Sequence, residues 1–172
     1  GVIYNSYKML ETKIPITDSK KLTIKQRLEL FQLFQQLKKE NILEYYLGMA
    51  TVEEIDQINI LEATKLSMKR VIDKFNNPNA SIIIDGNFKL EYKNTIEQSI
   101  IGGDKISLSI ATASIIAKIH RDRLMSILDN KYHYFGWKQN AGYGTKKHID
   151  AIKEKGPTNF HRKTFEPIKS LI

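Results

Sequence analysis

The segment Ser81-Ile82-Ile83-Ile84-Asp85-Gly86-Asn87 constrains the fold more than any other stretch of this chain. Three consecutive β-branched residues bounded by turn formers fit a strand buried on both faces, because side chains stiff at χ1 pack well on a pleated surface. The rest of the chain alternates around it. Gly1-Val2-Ile3-Tyr4-Asn5 reads as the tail of one strand and residues 42–50, rich in aromatic and branched side chains, as another. Thr23 with Gln26 and Thr51 with Glu54 match capping boxes. The first opens a helix to about Lys39 on a stripe of Leu28, Phe31, Leu33, Phe34 and Leu37, and the second a helix to Phe75, ahead of Asn76-Asn77-Pro78. A short apolar piece at 98–101 follows. A long helix over about 108–130 carries Ile110, Ala113, Ala117, Leu124 and Leu128 on one face, and a helix is predicted over about 145–155. Strands alternating with helices predict an α/β fold.

At 172 residues the chain suits one domain with a sizeable core. It contains no cysteine, which excludes disulfides, thiolate nucleophiles and zinc–sulfur sites and suits a reducing cytoplasm. No apolar run approaches the ~20 residues that cross a bilayer, so no membrane partner is expected. Twenty-seven Lys and Arg outnumber nineteen Asp and Glu, and the excess is concentrated. Residues 131–163 hold eight Lys or Arg against Asp150 and Glu154 alone. Clustered cations of this kind neutralise phosphates, so a nucleic acid is a plausible partner beside the plainer reading of a solvated lysine-rich surface.

Asp85 falls at the C-terminal edge of the isoleucine strand, where open α/β sheets hold ligands, so it is either a metal or catalytic carboxylate or the opener of an Asx-type turn. Asp104, on the turn Gly102-Gly103-Asp104, is a possible partner or else a solvent-facing turn residue. Paired hard oxygens suit Mg²⁺ or Mn²⁺. Ser19, Lys20 and Lys21 lie before a helix N-terminus and make either a phosphate cradle or an ordinary turn. Ser114 and Lys118, four apart on one helical face, hold a phosphate oxygen or contact each other. Tyr143, between glycines ahead of a basic helix, stacks on a sugar or base or else anchors its loop on the core. The four histidines show no i, i+4 metal spacing, and no zinc site is predicted.

In order along the chain, TDSKKLT (17–23), INILEATKLSMKR (58–70), IDGN (84–87), GGD (102–104), ATASIIAKIHRDRLM (111–125), AGYGT (141–145), HID (148–150) and GPTNFHRKTFEP (156–167) closely resemble the landmark segments of bacterial ribonuclease HII. The resemblance runs from about residue 1 to 168. It implies a ribonuclease H-like fold, a mixed five-stranded sheet flanked by helices. A core over 1–130 would be followed by a C-terminal helical, substrate-binding region over 131–172. It also implies an endonuclease that cuts RNA–DNA hybrids and duplex DNA with single embedded ribonucleotides, on the 5′ side of the ribonucleotide, leaving a 3′-hydroxyl and a 5′-phosphate.

The family holds two divalent ions, Mg²⁺ or Mn²⁺, with four carboxylates, and Asp85 and Asp104 match the third and fourth. By the same resemblance, Lys20, Lys21, Ser19, Ser114 and Lys118 hold backbone phosphates. Tyr143 stacks on the sugar beyond the ribonucleotide, and Asn59 touches the DNA strand. Arg162 contacts nucleic acid or belongs to a structural ion pair. We expect a cytoplasmic monomer.

The first two carboxylates belong to an Asp-Glu-x-Gly-Arg-Gly motif on the family's first, central strand, and this sequence contains no such motif. Gly1-Val2-Ile3-Tyr4 resembles the family's second strand, so the central strand is expected to be missing from the sheet. Gly102 departs from the lysine that many relatives carry there. Two further readings stand beside the main one: a ribonuclease HIII-like enzyme that cuts hybrids but not lone ribonucleotides, and a chain that binds hybrids without cutting them. AGYGT and the nineteen-residue step from Asp85 to Asp104 resemble the HII branch more closely.

Overall fold

The computed structural model describes residues 1–4, 14, 19, 21–93 and 95–171. Lys20 and most of the segment expected to be irregular before Pro15 lie outside the described residues. In chain order the elements are β1 (Val2–Tyr4), α1 (Ile24–Lys39), β2 (Leu43–Tyr45), α2 (Val52–Phe75), β3 (Ile82–Asp85) and β4 (Glu97–Ile100). Next come a 3-10 turn (Gly103–Lys105), α3 (Leu108–Lys131), a 3-10 turn (His133–Phe135), α4 (Trp137–Asn140), α5 (Lys146–Lys155) and a last 3-10 turn (Ile168–Ser170). The α/β alternation read from the sequence is present. Both capping boxes form: Thr23 Oγ1 accepts the Gln26 amide at 3.2 Å and Thr51 Oγ1 the Glu54 amide at 3.2 Å. Each returns the favour through the Gln26 or Glu54 side chain, which satisfies amides that the helix start leaves orphaned.

The chain divides into two compact units, residues 1–49 with 67–119, and residues 50–66 with 120–172. In the first, β1 pairs antiparallel with β2 and β3 pairs parallel with β4, as two separate two-stranded sheets. Phe34, Leu37, Leu43, Ile115 and Ile116 form its buried cluster. The parallel pair is joined over residues 86–96, a short crossover with no helix among the described residues. The Glu97 carboxylate compensates by accepting the amides of Leu90, Glu91 and Tyr92 at 2.8, 3.1 and 2.5 Å.

The strand predicted over 42–50 ends at Tyr45 instead. Beyond it the backbone turns against α2, where Arg70 Nη1 donates to Met49 O at 2.7 Å and Lys74 Nζ to Leu47 O at 3.2 Å, so helix side chains replace a ladder. Gly48 permits this approach. A Cβ there would lie 2.0 Å from Ser67 O.

The isoleucine strand also departs from expectation. Only Ile84 is buried, and Ile83 is 38 % exposed. The reason is a cleft of about 1130 Å³ in this unit, lined by β1 and β3 together with Val71 and Ile72 of α2 and Ile110 and Ala113 of α3. Among the described residues β1 and β3 are each paired along one edge only, so the cleft carries open strand edges over an apolar floor.

The second unit packs Leu128, Phe135, Trp137, Ala151, Ile152 and Ile168. Phe135 stacks on Trp137 with centroids 5.0 Å apart, and two histidines join the aromatic core: His161 lies 4.7 Å from Phe135, and His148 lies 5.3 Å from His161. His161 Nδ1 accepts the Thr158 amide at 3.0 Å, while its Nε2 is buried without a partner. Burial, and then the neighbouring His148, push its pKa down from 6.5 to about 4. Between those values the unfolded chain binds a proton that the folded chain refuses, so stability falls as pH drops from about 6.5 towards 4, by roughly 3 kcal/mol in total. The denaturation midpoint is therefore expected to fall between pH 7 and pH 4.5, and His161→Phe to flatten that dependence. An equally steep fall in the variant would assign the loss to other groups. No helix among the described residues is long and apolar enough to cross a membrane.

Candidate active site and nucleic-acid interface

Asp85 closes β3 and is exposed. The ladder continues one step past it, with the Gly86 amide donating to Ile100 O at 3.0 Å, which brings the turn after β4 to the same sheet end. There Asp85 Oδ1 accepts the amide of Gly103 at 3.0 Å. Asp104 is the next residue and is 9 % exposed. The two glycines of this turn do different work. Gly102 has φ +67°, a left-handed conformation costly for other residues, with open space around it. Gly103 has no such φ, but a Cβ there would sit 2.5 Å from Ile110 Cδ1. The structure therefore brings both acidic residues to one strand end, nineteen positions apart in sequence. Among the described residues no cluster of three or more His, Cys, Asp or Glu is placed to hold a metal.

Ser19 is buried and its Oγ lies 2.9 Å from Ser114 Oγ, across ninety-five residues of sequence. The serine on the approach to α1 thus meets the Ser114–Lys118 face of α3. Arg27 fixes that approach by donating from Nη1 to Ser19 O at 3.2 Å and to Leu22 O at 2.6 Å. Lys21 is exposed. Asp85 and Ser114 both line the cleft described above. Nearby, Tyr4 Oη and Thr112 Oγ1 are 2.7 Å apart, and burial raises the pKa of that phenol.

The second unit holds the other predicted residues. Asn59 breaks α2 with φ +68°, and its side-chain oxygen accepts the amides of Leu61 at 2.9 Å and Glu62 at 3.1 Å. It is thus an internal cap that restarts the helix, a role its sequence setting did not reveal. Tyr143 is 76 % exposed, so its ring is displayed and does not anchor the loop on the core. Arg162 sits over Phe165, with its guanidinium carbon 3.7 Å from the ring centroid, and it forms no salt bridge among the described residues.

Sequence reasoning missed Asp56. Its carboxylate accepts the Lys163 amide at 2.9 Å, the Thr164 amide at 3.0 Å and the Thr164 hydroxyl at 2.6 Å, and so pins the Arg162 segment to the first turns of α2. An acid in the first turns of a helix looks like dipole compensation, which is why its long-range partners escaped notice. Thr145 caps the basic helix α5, accepting the His148 amide at 3.4 Å.

A family model described as Ribonuclease HII matches residues 2–168. Ribonuclease HII of Wolbachia pipientis subsp. Culex pipiens (strain wPip) is 48 % identical over 156 residues, which cover 91 % of this chain and 76 % of that protein. Ribonuclease HII of Pelagibacter ubique (strain HTCC1062) is 41 % identical over 175 residues, covering 100 % of this chain and 91 % of that protein. Among solved structures, the ribonuclease H2 from Pyrococcus horikoshii OT3 is similar with a TM-score of 0.68 and 26 % identity, over 90 % of this chain and 78 % of that one.

Proposed function

This chain belongs to the ribonuclease HII family, the type 2 ribonuclease H endonucleases, and from that premise we propose that its substrates are RNA–DNA hybrids and single ribonucleotides in duplex DNA, with cleavage 5′ to the ribonucleotide once carboxylates beyond Asp85 and Asp104 complete the metal site. The observation that carries the site is the hydrogen bond from the Gly103 amide to Asp85 Oδ1, which sets two acidic residues at one strand end beside the Ser19–Ser114 contact. Asp85 and Asp104 would hold divalent metal, Mg²⁺ or Mn²⁺, through hard carboxylate oxygens. The chemistry a divalent pair supplies in such a site is a nucleophilic water for in-line attack and charge stabilisation of the departing 3′ oxygen.

The chain's own residues supply position. Ser19 and Ser114, with Lys20, Lys21 and Lys118, hold phosphates flanking the cut. Asn59 and Arg162 meet the DNA strand, and the displayed ring of Tyr143 stacks on the sugar after the ribonucleotide. The basic stretch over 131–163 supplies salt-dependent affinity that does not depend on sequence. This reading places the protein in the cytoplasm as a monomer.

Equilibrium binding to three duplexes tests it: a hybrid, DNA with one ribonucleotide, and plain DNA. The first two are expected to bind more tightly than the third. Loss of a stacked ring is worth ~1–3 kcal/mol, so Tyr143→Ala should weaken the single-ribonucleotide duplex about 5- to 150-fold, and the long hybrid less. Equal losses on both would remove the junction role of the ring. A wild-type protein indifferent to ribonucleotides would remove the substrate assignment, and preference for hybrids alone would favour the HIII-like reading.

A further inference from the structure

Residues 142–147, all exposed, display Tyr143 without a buried side chain to anchor them, and the backbone enters this loop in an uncommon conformation. Ala141 has φ +49° and Gly142 φ +85°, two left-handed residues in succession. Glycine adopts that conformation freely, and the left-handed asparagines at 41, 59 and 76 have short polar side chains that can bond locally. Alanine has neither advantage, so the turn needs a restraint from outside itself.

Asn140, half-buried at the end of α4, supplies that restraint. Its Nδ2 donates to Phe135 O at 2.7 Å, and its Oδ1 accepts the Gly142 amide at 2.8 Å. Its own carbonyl accepts the Tyr143 amide at 2.9 Å, so three bonds of one residue surround Ala141. Arg121 Nη2 adds a bond to Ala141 O at 3.1 Å. The inner end of the Asn140 strut is firmly held. Phe135 is fully buried, and its carbonyl also accepts His148 Nδ1 at 3.0 Å, from a buried ring on α5. One carbonyl can take both donors, and only one orientation of the Asn140 amide fits, because Phe135 O cannot donate and the Gly142 amide cannot accept. The side chain thus ties the aromatic core to the step immediately before Tyr143.

We propose that Asn140 is a positioning residue for ribonucleotide recognition: it holds the left-handed Ala141–Gly142 turn that would otherwise relax, and so fixes where the Tyr143 ring stands. The inference rests on the reading of Tyr143 as the stacking ring. Asn140 itself touches no substrate. A ring on an unrestrained turn still stacks on any sugar or base it meets, so affinity for a long hybrid survives its loss. Selecting one sugar among many needs the ring in one place.

Binding to the same three duplexes is measured without added divalent metal, with amide hydrogen exchange and melting on the same samples. Asn140→Ala removes both side-chain bonds. It is expected to cut the preference for the single-ribonucleotide duplex over plain DNA about tenfold, to leave hybrid affinity within about threefold, and to speed exchange at the Gly142 amide. Ala141→Gly separates positioning from support of the core, because it lowers the cost of the left-handed turn and touches none of the Asn140 bonds. In the Asn140→Ala background it should restore about fivefold of the preference. Where Asn140→Ala does not fold, Asn140→Asp carries the same loss and the same rescue, since it keeps the Gly142 bond but sets a carboxylate oxygen against Phe135 O. Wild-type preference in the Asn140 variants, with Tyr143→Ala losing it, overturns the proposal alone. A loss that Ala141→Gly leaves unchanged also overturns it and makes Asn140 a support of the core. Wild-type preference in Tyr143→Ala overturns the stacking reading, and the proposal with it.

Discussion

Residues 1–172 on their own are expected to bind a ribonucleotide-containing duplex and to release no product from it in Mg²⁺ or Mn²⁺. The argument is one of charge and ligand number. Two divalent ions held in one site would repel strongly, and Mg²⁺ gives up water reluctantly, so a working pair would need several anionic oxygens held together. Asp85 and Asp104 supply two carboxylates at this strand end, and no third acidic or histidine ligand joins them among the described residues. The resemblance implies two more, on an apolar strand. The cleft lined by β1 and β3 has the open strand edges and apolar walls to accept an extended segment, because added strands bind by main-chain hydrogen bonds while alternate side chains fill pockets. A synthetic peptide containing Asp-Glu-x-Gly-Arg-Gly in an apolar strand is therefore expected to raise the melting temperature and to confer Mg²⁺-dependent nicking. The same peptide with Asn-Gln in place of the acidic pair should raise the melting temperature equally and confer nothing else. Sustained turnover by the purified chain without peptide would refute the ligand-number argument.

The parts of this molecule legible from its sequence are those governed by local rules. The capping boxes at Thr23 and Thr51 form where spacing places them, because each is a contact between residues three apart. The glycine turn at 102–103 was legible from its letters, but the fold-back that carries Asp104 to the end of β3 joins residues eighteen apart and stood open beside a solvent-facing turn. The isoleucine run identified a strand but misjudged its burial, since burial depends on what lies across the cleft and not on the strand's own letters. The segment after Tyr45 has strand-like residues, yet Arg70 and Lys74, more than twenty positions later, take its carbonyls. Asp56 and the capping role of Asn59 were opaque because each acts through backbone partners that no periodicity announces. The two acidic residues of the candidate site could be named from the sequence, and the contacts that position them could not.

Asp85→Asn is expected to abolish nicking by the peptide-complemented protein while leaving affinity for the hybrid within a few-fold. Asparagine is nearly isosteric, and its side-chain oxygen can still accept the Gly103 amide that Asp85 Oδ1 accepts at 3.0 Å, so the turn carrying Asp104 stays in place. The position is also exposed, so no buried charge is orphaned by the change. What disappears is one negative charge. At about 4 Å and an effective dielectric of about 20, its attraction for a divalent ion is roughly 8 kcal/mol, and half of that is enough for a loss of about a thousandfold. Hybrid affinity in metal-free buffer should be unchanged or slightly tighter, because a repulsive charge near the phosphates has gone. Mn²⁺ titration followed by electron paramagnetic resonance, with nicking and melting measured on the same preparation, separates the cases. Nicking within tenfold of wild type would remove Asp85 from the metal site. A lowered melting temperature with weakened hybrid binding would make it a structural turn residue, the plainer of the two roles its place at the end of β3 allows.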